Sequence, residues 1–299
     1  MLDSATETFS LSAYWDDRAA RVEEALTALL APRRPEPLWE AMAYSVVAGG
    51  KRLRPLLVLA ACEAAGGRPE AAMGAACAME LVHTQSLVHD DLPCMDNDTL
   101  RRGRPTNHVV YGEALALLAG DGLLTYAFQV LAEDLPRHIP AARAAGAIAE
   151  FARATLGMVA GQVVDVRSEG QPIDKETLEY IHRHKTGELL RVACRLGAHA
   201  AEADDATLSA LTAYAEALGL AFQIVDDLLD LTGTAEELGK SPGKDAAVQK
   251  ATYPALYGVE AARAEAERQI RLAEEALAPL GAAATPLRAI ARFVSERKH

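Results

Sequence analysis

An all-α fold is what this sequence predicts, and three observations predict it. Ala, Leu and Glu dominate the 299 residues, half of which are hydrophobic, and these are residues that lose little on entering a helix. Apolar residues recur at three- and four-residue spacing in stretch after stretch. Alternating β-branched segments bounded by hairpin turns are hard to find, so a sheet has little to be made from.

The elements follow from where this spacing starts and stops. Gly, Pro and short polar residues cluster at Ala31–Pro37, Gly66–Pro69, Pro93–Pro105, Asp134–Pro140, Ser168–Asp174, Gly233–Pro254 and Gly281–Pro286. These breaks leave roughly ten or more helices, with the clearest spacing over Ala71–His89, Glu113–Leu131 and Leu208–Leu231. Ala71–His89 and Ala154–Val164 carry little charge around most of their circumference, which predicts burial on most sides or a share in a subunit interface. No break is a long low-complexity linker and no repeat has a fixed period, so residues 1–299 are expected to form one domain.

Charge and cysteine content narrow the function. Thirty Lys and Arg against 42 Asp and Glu give a net charge of −12, the wrong sign for a body that follows a phosphate backbone, so nucleic acid is excluded as a partner. The same acidity repels small anions, so an anionic substrate requires a site that is locally basic or bridged by divalent cations. Cys62, Cys77, Cys94 and Cys194 form no C-x-x-C pair and sit in a chain too long to need staples, which predicts reduced thiols. Met1–Ser10 carries Asp3 and Glu7 without an apolar core, and the uncharged runs fall short of about 18 residues. Neither an export signal nor a membrane span is expected, and the expected location is the cytoplasm.

Two acidic clusters carry the chemistry. Asp90-Asp91-Leu92-Pro93-Cys94-Met95-Asp96, followed by Asn97 and Asp98, ends an apolar helix with four carboxylates in nine residues. Such crowding is relieved by hard cations, and Mg²⁺ prefers a few carboxylates plus substrate phosphates and water. Asp226-Asp227-Leu228-Leu229-Asp230 lies at the end of another apolar helix, with Asp226 and Asp230 on one face at i and i+4, unfavourable without something positive between them. Two such clusters far apart in sequence read as two walls of one metal-filled cavity.

Basic groups suited to phosphate stand beside them. Gly49-Gly50-Lys51-Arg52-Leu53-Arg54-Pro55 puts cations on a loop or first helical turn, where backbone N–H groups also favour an anion. Arg101-Arg102-Gly103-Arg104 follows the first acidic cluster, His182-Arg183-His184-Lys185-Thr186-Gly187 precedes a later helix, and Lys240, Lys244 and Lys250 lie in the glycine-rich stretch after Asp230. Arg forks suit phosphate oxygens, whereas Lys supplies a mobile point charge.

From about Ala41 to Leu256 this set resembles the trans-polyprenyl synthases, the family of farnesyl and geranylgeranyl diphosphate synthases. The resemblance lies in the first aspartate-rich motif with its six-residue spacing, in Arg-Arg-Gly-Arg-Pro-Thr-Asn-His, and in Phe-Gln-Ile-Val-Asp-Asp-Leu-Leu-Asp. It implies an isoprenoid-synthase bundle around a central active-site cavity, and three Mg²⁺ ions held against an allylic diphosphate by Asp90, Asp96 and Asp226, with Asp91, Asp227 and Asp230 in support. Arg101, Lys185 and Lys240 would clamp that diphosphate, and Lys250 and, more weakly, Arg297 also match family positions. Isopentenyl diphosphate would be held without metal by Gly50, Lys51, Arg54, His83 and Arg102. Thr186 and Gln223 would turn oxygen dipoles toward the developing allylic cation. The family's usual homodimer is implied as well.

Thr99 stands where the family more often continues its acidic run. The residues about one turn before Asp90, Gln85 and Ser86, would face the growing chain as a floor. Relatives that stop at farnesyl often carry an aromatic ring there, and Gln85 with Pro93-Cys94 points to the geranylgeranyl (C20) length over farnesyl (C15). Three other readings compete. Glu80-x-x-His83 and Glu179-x-x-His182 have the ligand spacing of helical di-iron carboxylate proteins, but that reading leaves both Asp clusters unexplained. A terpene cyclase has no use for a second diphosphate site built from Lys51, Arg54 and Arg102, and a non-catalytic subunit of a heteromeric synthase would be expected to have lost part of an Asp cluster.

Overall fold

The computed structural model describes residues 9–232 and 252–297. In chain order the helices are α1 (Leu11–Leu29), α2 (Glu36–Val46), α3 (Leu53–Ala64), α4 (Pro69–Asp90), α5 (Asn107–Tyr111), α6 (Glu113–Asp134), α7 (Ala141–Ser168), α8 (Lys175–Ile181), α9 (Glu188–Ala200), α10 (Asp205–Thr232), α11 (Tyr253–Tyr257), α12 (Val259–Ala276) and α13 (Thr285–Glu296). Gly233–Pro254 lies mostly outside the described residues; the other breaks read from the sequence fall at or beside helix ends, and local chemistry sets the helix starts. Ser10 caps α1 by accepting the Ala13 N–H, and Asp174 caps α8 by accepting the Thr177 N–H at 2.9 Å. Proline opens α2, α4, α11 and α13 at a position where its missing N–H costs nothing.

Helix α4 is the centre of the domain. Ala72, Ala75, Ala76, Ala78, Met79 and Leu81 are essentially unexposed, and α3, α6 and α9 pack around the helix. Its small side chains let neighbours approach, and its C-terminal end carries the first aspartates into a cavity. Helix α10 packs between α9 and α12, with a smaller core of Leu178, Leu220, Ile224, Leu228 and Tyr253 beneath the second acidic cluster.

Three features depart from the sequence-based expectation. The stretch Ala154–Val164 is not buried on most sides: within α7, Phe151 and Ala154 are buried, whereas Leu156, Val159 and Val163 are 69%, 46% and 53% exposed. Low charge all round marked that helix as covered, but one chain covers only one stripe of it. A small antiparallel hairpin also forms, Leu100–Arg101 (β1) against Arg104–Pro105 (β2), its two-residue turn carried by positive φ at Arg102 and Gly103. Finally, Glu113–Arg137, Ala141–Ser168 and Asp205–Leu231 are long and apolar enough to cross a membrane by length and composition alone, because such a window tolerates the few charges that interrupt them. The four cysteines are unpaired, and all but Cys94 are buried.

Candidate active site

The first acidic cluster is folded by its own backbone. Asp91 ends α4, the Asp96 N–H returns to the Asp90 carbonyl at 2.8 Å, and Asn97 takes a left-handed φ, so the six-residue spacing brings Asp96 back beside Asp90. Burial pushes the Asp90 carboxyl up to about 6; Lys185 works against this, while Asp96 and Asp91 add to it. The buried Asp91 points elsewhere, into a fork from Arg101 with Nε and Nη2 at 2.8 and 2.6 Å. Arg101 is thereby held on the hairpin beside the cluster.

The second cluster occupies the last turns of α10. Asp226 accepts from Gln223 Nε2 at 3.2 Å and from the Arg297 guanidinium, which also donates to the Phe222 carbonyl and lies over the Phe222 ring. Asp227 is used differently: its Oδ2 accepts the Tyr253 N–H at 2.7 Å and lies 3.4 Å from His182 Nε2, which fastens α10 to the start of α11. Asp230 shares the Asp226 face, one turn on.

Between α8 and α9, residues His182–Gly187 form a π-helical turn that carries Lys185 and Thr186. The turn sits so close to α7 that a Cβ on Gly161 would stand 2.3 Å from the Lys185 backbone nitrogen. Here α7 supplies two partners the sequence reading missed. Gln162 Nε2 donates to Asp90 at 3.0 Å, and the buried Asp165 accepts from Lys185 Nζ at 2.6 Å. The detectable signal was Gly161-Gln162-x-x-Asp165, a polar pair on one face of an apolar helix behind a glycine.

Facing these groups is the basic loop before α3. The Arg102 guanidinium donates to the Gly49 carbonyl and lies against Gly50, where a Cβ would be 2.7 Å from its Cζ. Burial lowers Arg54, whose Nε has no partner, and burial followed by the charges of Arg54 and Arg102 holds His83 well below the usual histidine range. Asp226 acts on both Lys51 and Arg54, which ties this loop to the second cluster. A cavity of about 560 Å³ joins the sets: Arg54 and His83 line it together with Asp90, Lys185 and Thr186, and Gln85 and Ser86 line it as well.

The sequence matches the polyprenyl synthetase family over residues 35–278. The chain belongs to that family. It is 48% identical over 295 residues to a dimethylallyltranstransferase of Fischerella ambigua, covering 98% of this chain and 85% of that protein. It is 47% identical to a geranylgeranyl diphosphate synthase of Cyanophora paradoxa, covering 97% and 98%. An FPP/GFPP synthase structure from Zymomonas mobilis superposes with a TM-score of 0.84 at 37% identity, covering 95% of this chain and 98% of that one.

Within this polyprenyl synthetase fold, Asp90 lines the cavity and Asp226 is held by Gln223 and Arg297, while Asp91 and Asp227 are engaged by Arg101 and by Tyr253 with His182. The crowding at Asp90 fits a hard divalent cation. Among the described residues no three His, Cys, Asp or Glu side chains converge into a ready-made cage. Lys240, Lys244 and Lys250 lie outside the described residues. The di-iron spacing has no support in the geometry: Glu80 is bound by Arg52, and Glu179 pairs with Lys175 and Arg183.

Proposed function

We propose that this protein is a Mg²⁺-dependent short-chain trans-prenyltransferase that joins isopentenyl diphosphate to dimethylallyl, geranyl or farnesyl diphosphate, with geranylgeranyl diphosphate as its main product. One observation carries the reading: a single largely aliphatic cavity is lined at once by Asp90 and Lys185 and by Arg54 and His83. Those are two separate anion-suited sets opening on a space where an isoprenoid chain can lie. The names of the relatives support the same reading.

Arg101 and Lys185, each already steadied by a carboxylate, would hold the allylic diphosphate with Lys240. Arg54, Arg102 and Lys51 would hold isopentenyl diphosphate, and the uncharged His83 would add a hydrogen bond. Asp90, Asp96 and Asp226 would bind Mg²⁺, which neutralises charge on the departing diphosphate. As the C–O bond ionises, Thr186 and Gln223 present oxygen dipoles to the allylic cation, and Met158 and Leu189 exclude the water that would quench it. The isopentenyl double bond attacks, and the proton it then loses passes to the released diphosphate. Gln85 donates to His89 Nδ1 at 3.0 Å, which keeps its amide along α4, and among the described residues the cavity lining includes no Phe, Tyr or Trp.

We infer a homodimer as well. Leu117, Val159 and Val163 line the cavity and are also about half exposed on α6 and α7, so a second copy laid on that face would close the cavity. A cytoplasmic location belongs to this reading. The test is to incubate the protein with isopentenyl diphosphate and each allylic diphosphate, with and without Mg²⁺, and to size the dephosphorylated products. A Mg²⁺-dependent C20 alcohol is expected, and no condensation with any starter refutes the reading.

A further inference from the structure

The loop that faces isopentenyl diphosphate contains three cations, Lys51, Arg52 and Arg54, and they do not point the same way. Lys51 is exposed and Arg54 lines the cavity. Arg52 turns inward, and its side chain is fully buried. Its backbone has φ +51, a left-handed conformation that non-glycine residues seldom adopt and that surrounding structure must hold in place.

The guanidinium uses every side of its fork. Nε donates to Glu23 on α1 at 2.7 Å, Nη1 donates to Glu80 on α4, and Nη2 donates to the Val46 carbonyl at the end of α2 at 2.6 Å. Three helices are thus tied to the one residue that separates Lys51 from Leu53-Arg54. Glu80 is itself buried, with its side chain 2% exposed, and a buried carboxylate is tolerated only when it is paired. Its charge also favours the cationic forms of Arg54 and Arg102, which burial opposes. On its other side the loop is pinned by Arg102 against Gly49 and Gly50.

We propose that Arg52, with Glu80 as its buried counter-ion, is a positioning residue for the isopentenyl diphosphate site: it fixes the backbone between Lys51 and Arg54 so that both cations face the substrate already oriented. This rests on the reading of the cavity given above. Neither residue touches substrate, and both act through the loop. An ammonium cannot reproduce a planar fork that reaches three acceptors at once, so Arg52→Lys keeps the charge and loses the positioning. Glu80→Gln keeps an acceptor oxygen for Nη1 and loses only the charge.

The experiment measures KM for isopentenyl diphosphate, KM for geranyl diphosphate, kcat and melting temperature in wild type, Arg52→Lys and Glu80→Gln, together with calorimetric binding of isopentenyl diphosphate without Mg²⁺. Arg52→Lys is expected to raise the isopentenyl diphosphate KM and Kd about tenfold or more, and to change the geranyl diphosphate KM and kcat less than about twofold. Glu80→Gln is expected to move the same parameters in the same direction by less, and it carries the test alone if Arg52→Lys does not fold. Isopentenyl diphosphate binding that stays at the wild-type value in the folded variants overturns the inference. So does a loss spread evenly over both substrates and kcat in step with melting temperature, which marks a purely structural role. A wild-type protein that binds no isopentenyl diphosphate overturns the functional reading, and this inference with it.

Discussion

Replacing Gly161 by Ala adds one methyl group to α7, and its consequence can be worked from the geometry. The new Cβ would stand 2.3 Å from the Lys185 nitrogen and 2.8 Å from the His184 carbonyl carbon, where ordinary contact begins at 3.4 Å. The obstruction is backbone, so the π-helical turn has to retreat by about 1 Å, a displacement that can cost on the order of 100-fold in rate when it falls on catalytic groups. In stability, over-packing of about 1–3 kcal/mol is offset by roughly 1 kcal/mol from better helix propensity, leaving a net loss of about 0–2 kcal/mol. The expected variant is therefore folded, modestly destabilised and nearly inactive. Gly146 on the same helix is the control, since nothing lies within 4 Å of its Cβ position. Gly146→Ala should gain about 0.5–1 kcal/mol and keep full turnover. Condensation rate with Mg²⁺ and thermal unfolding of both variants are the assays. Wild-type turnover in Gly161→Ala would refute the claim that contact between α7 and the turn sets Lys185 and Thr186.

Asp90→Ala and Asp226→Ala should each abolish turnover, and circular dichroism should find the helical fold intact; activity in both would sink the metal assignment. Because burial raises Asp90 to about 6, its ionised form costs stability above that pH, so metal-free Asp90→Ala should melt no lower than wild type at pH 8. Gln85→Phe should shorten the product to C15, and an unchanged product distribution would move the floor elsewhere. At Glu150, burial favours the neutral acid, but hydrogen bonds from Arg195, with His199 Nε2 3.3 Å away, outweigh it and hold the carboxyl well below the usual range. Its stabilisation is therefore present above the ordinary carboxylate pKa of about 4.3 and is lost as pH falls through and below it. Glu150→Gln should flatten the acid side of the stability–pH curve, and superimposable curves would count against this network.

Helices α4, α6 and α10 were legible in the sequence to within a few residues, because apolar spacing is written in contiguous residues. The acidic clusters were legible for the same reason, as was the basic character of the loop before α3. Of the two expectations for α7, burial by its own chain does not hold, because composition cannot tell a helix covered by its own chain from one with an apolar face left open. The hairpin at Arg102-Gly103 was missed because two-residue strands leave no periodicity to read.

The sequence by itself determined the fold class, the family and which residue types gather at the site. Only the tertiary structure decided which of several like-charged neighbours does what: Arg54 faces the cavity while Arg52 is locked to Glu80, Asp91 serves Arg101, Asp227 holds α11, and Gln162 and Asp165 join the site from α7. Arg297, a weak match by sequence, proves to be bound to Asp226. The reason is physical. Adjacent arginines or aspartates have the same local propensities, and what separates them is whether a buried partner from a distant helix compensates the loss of water.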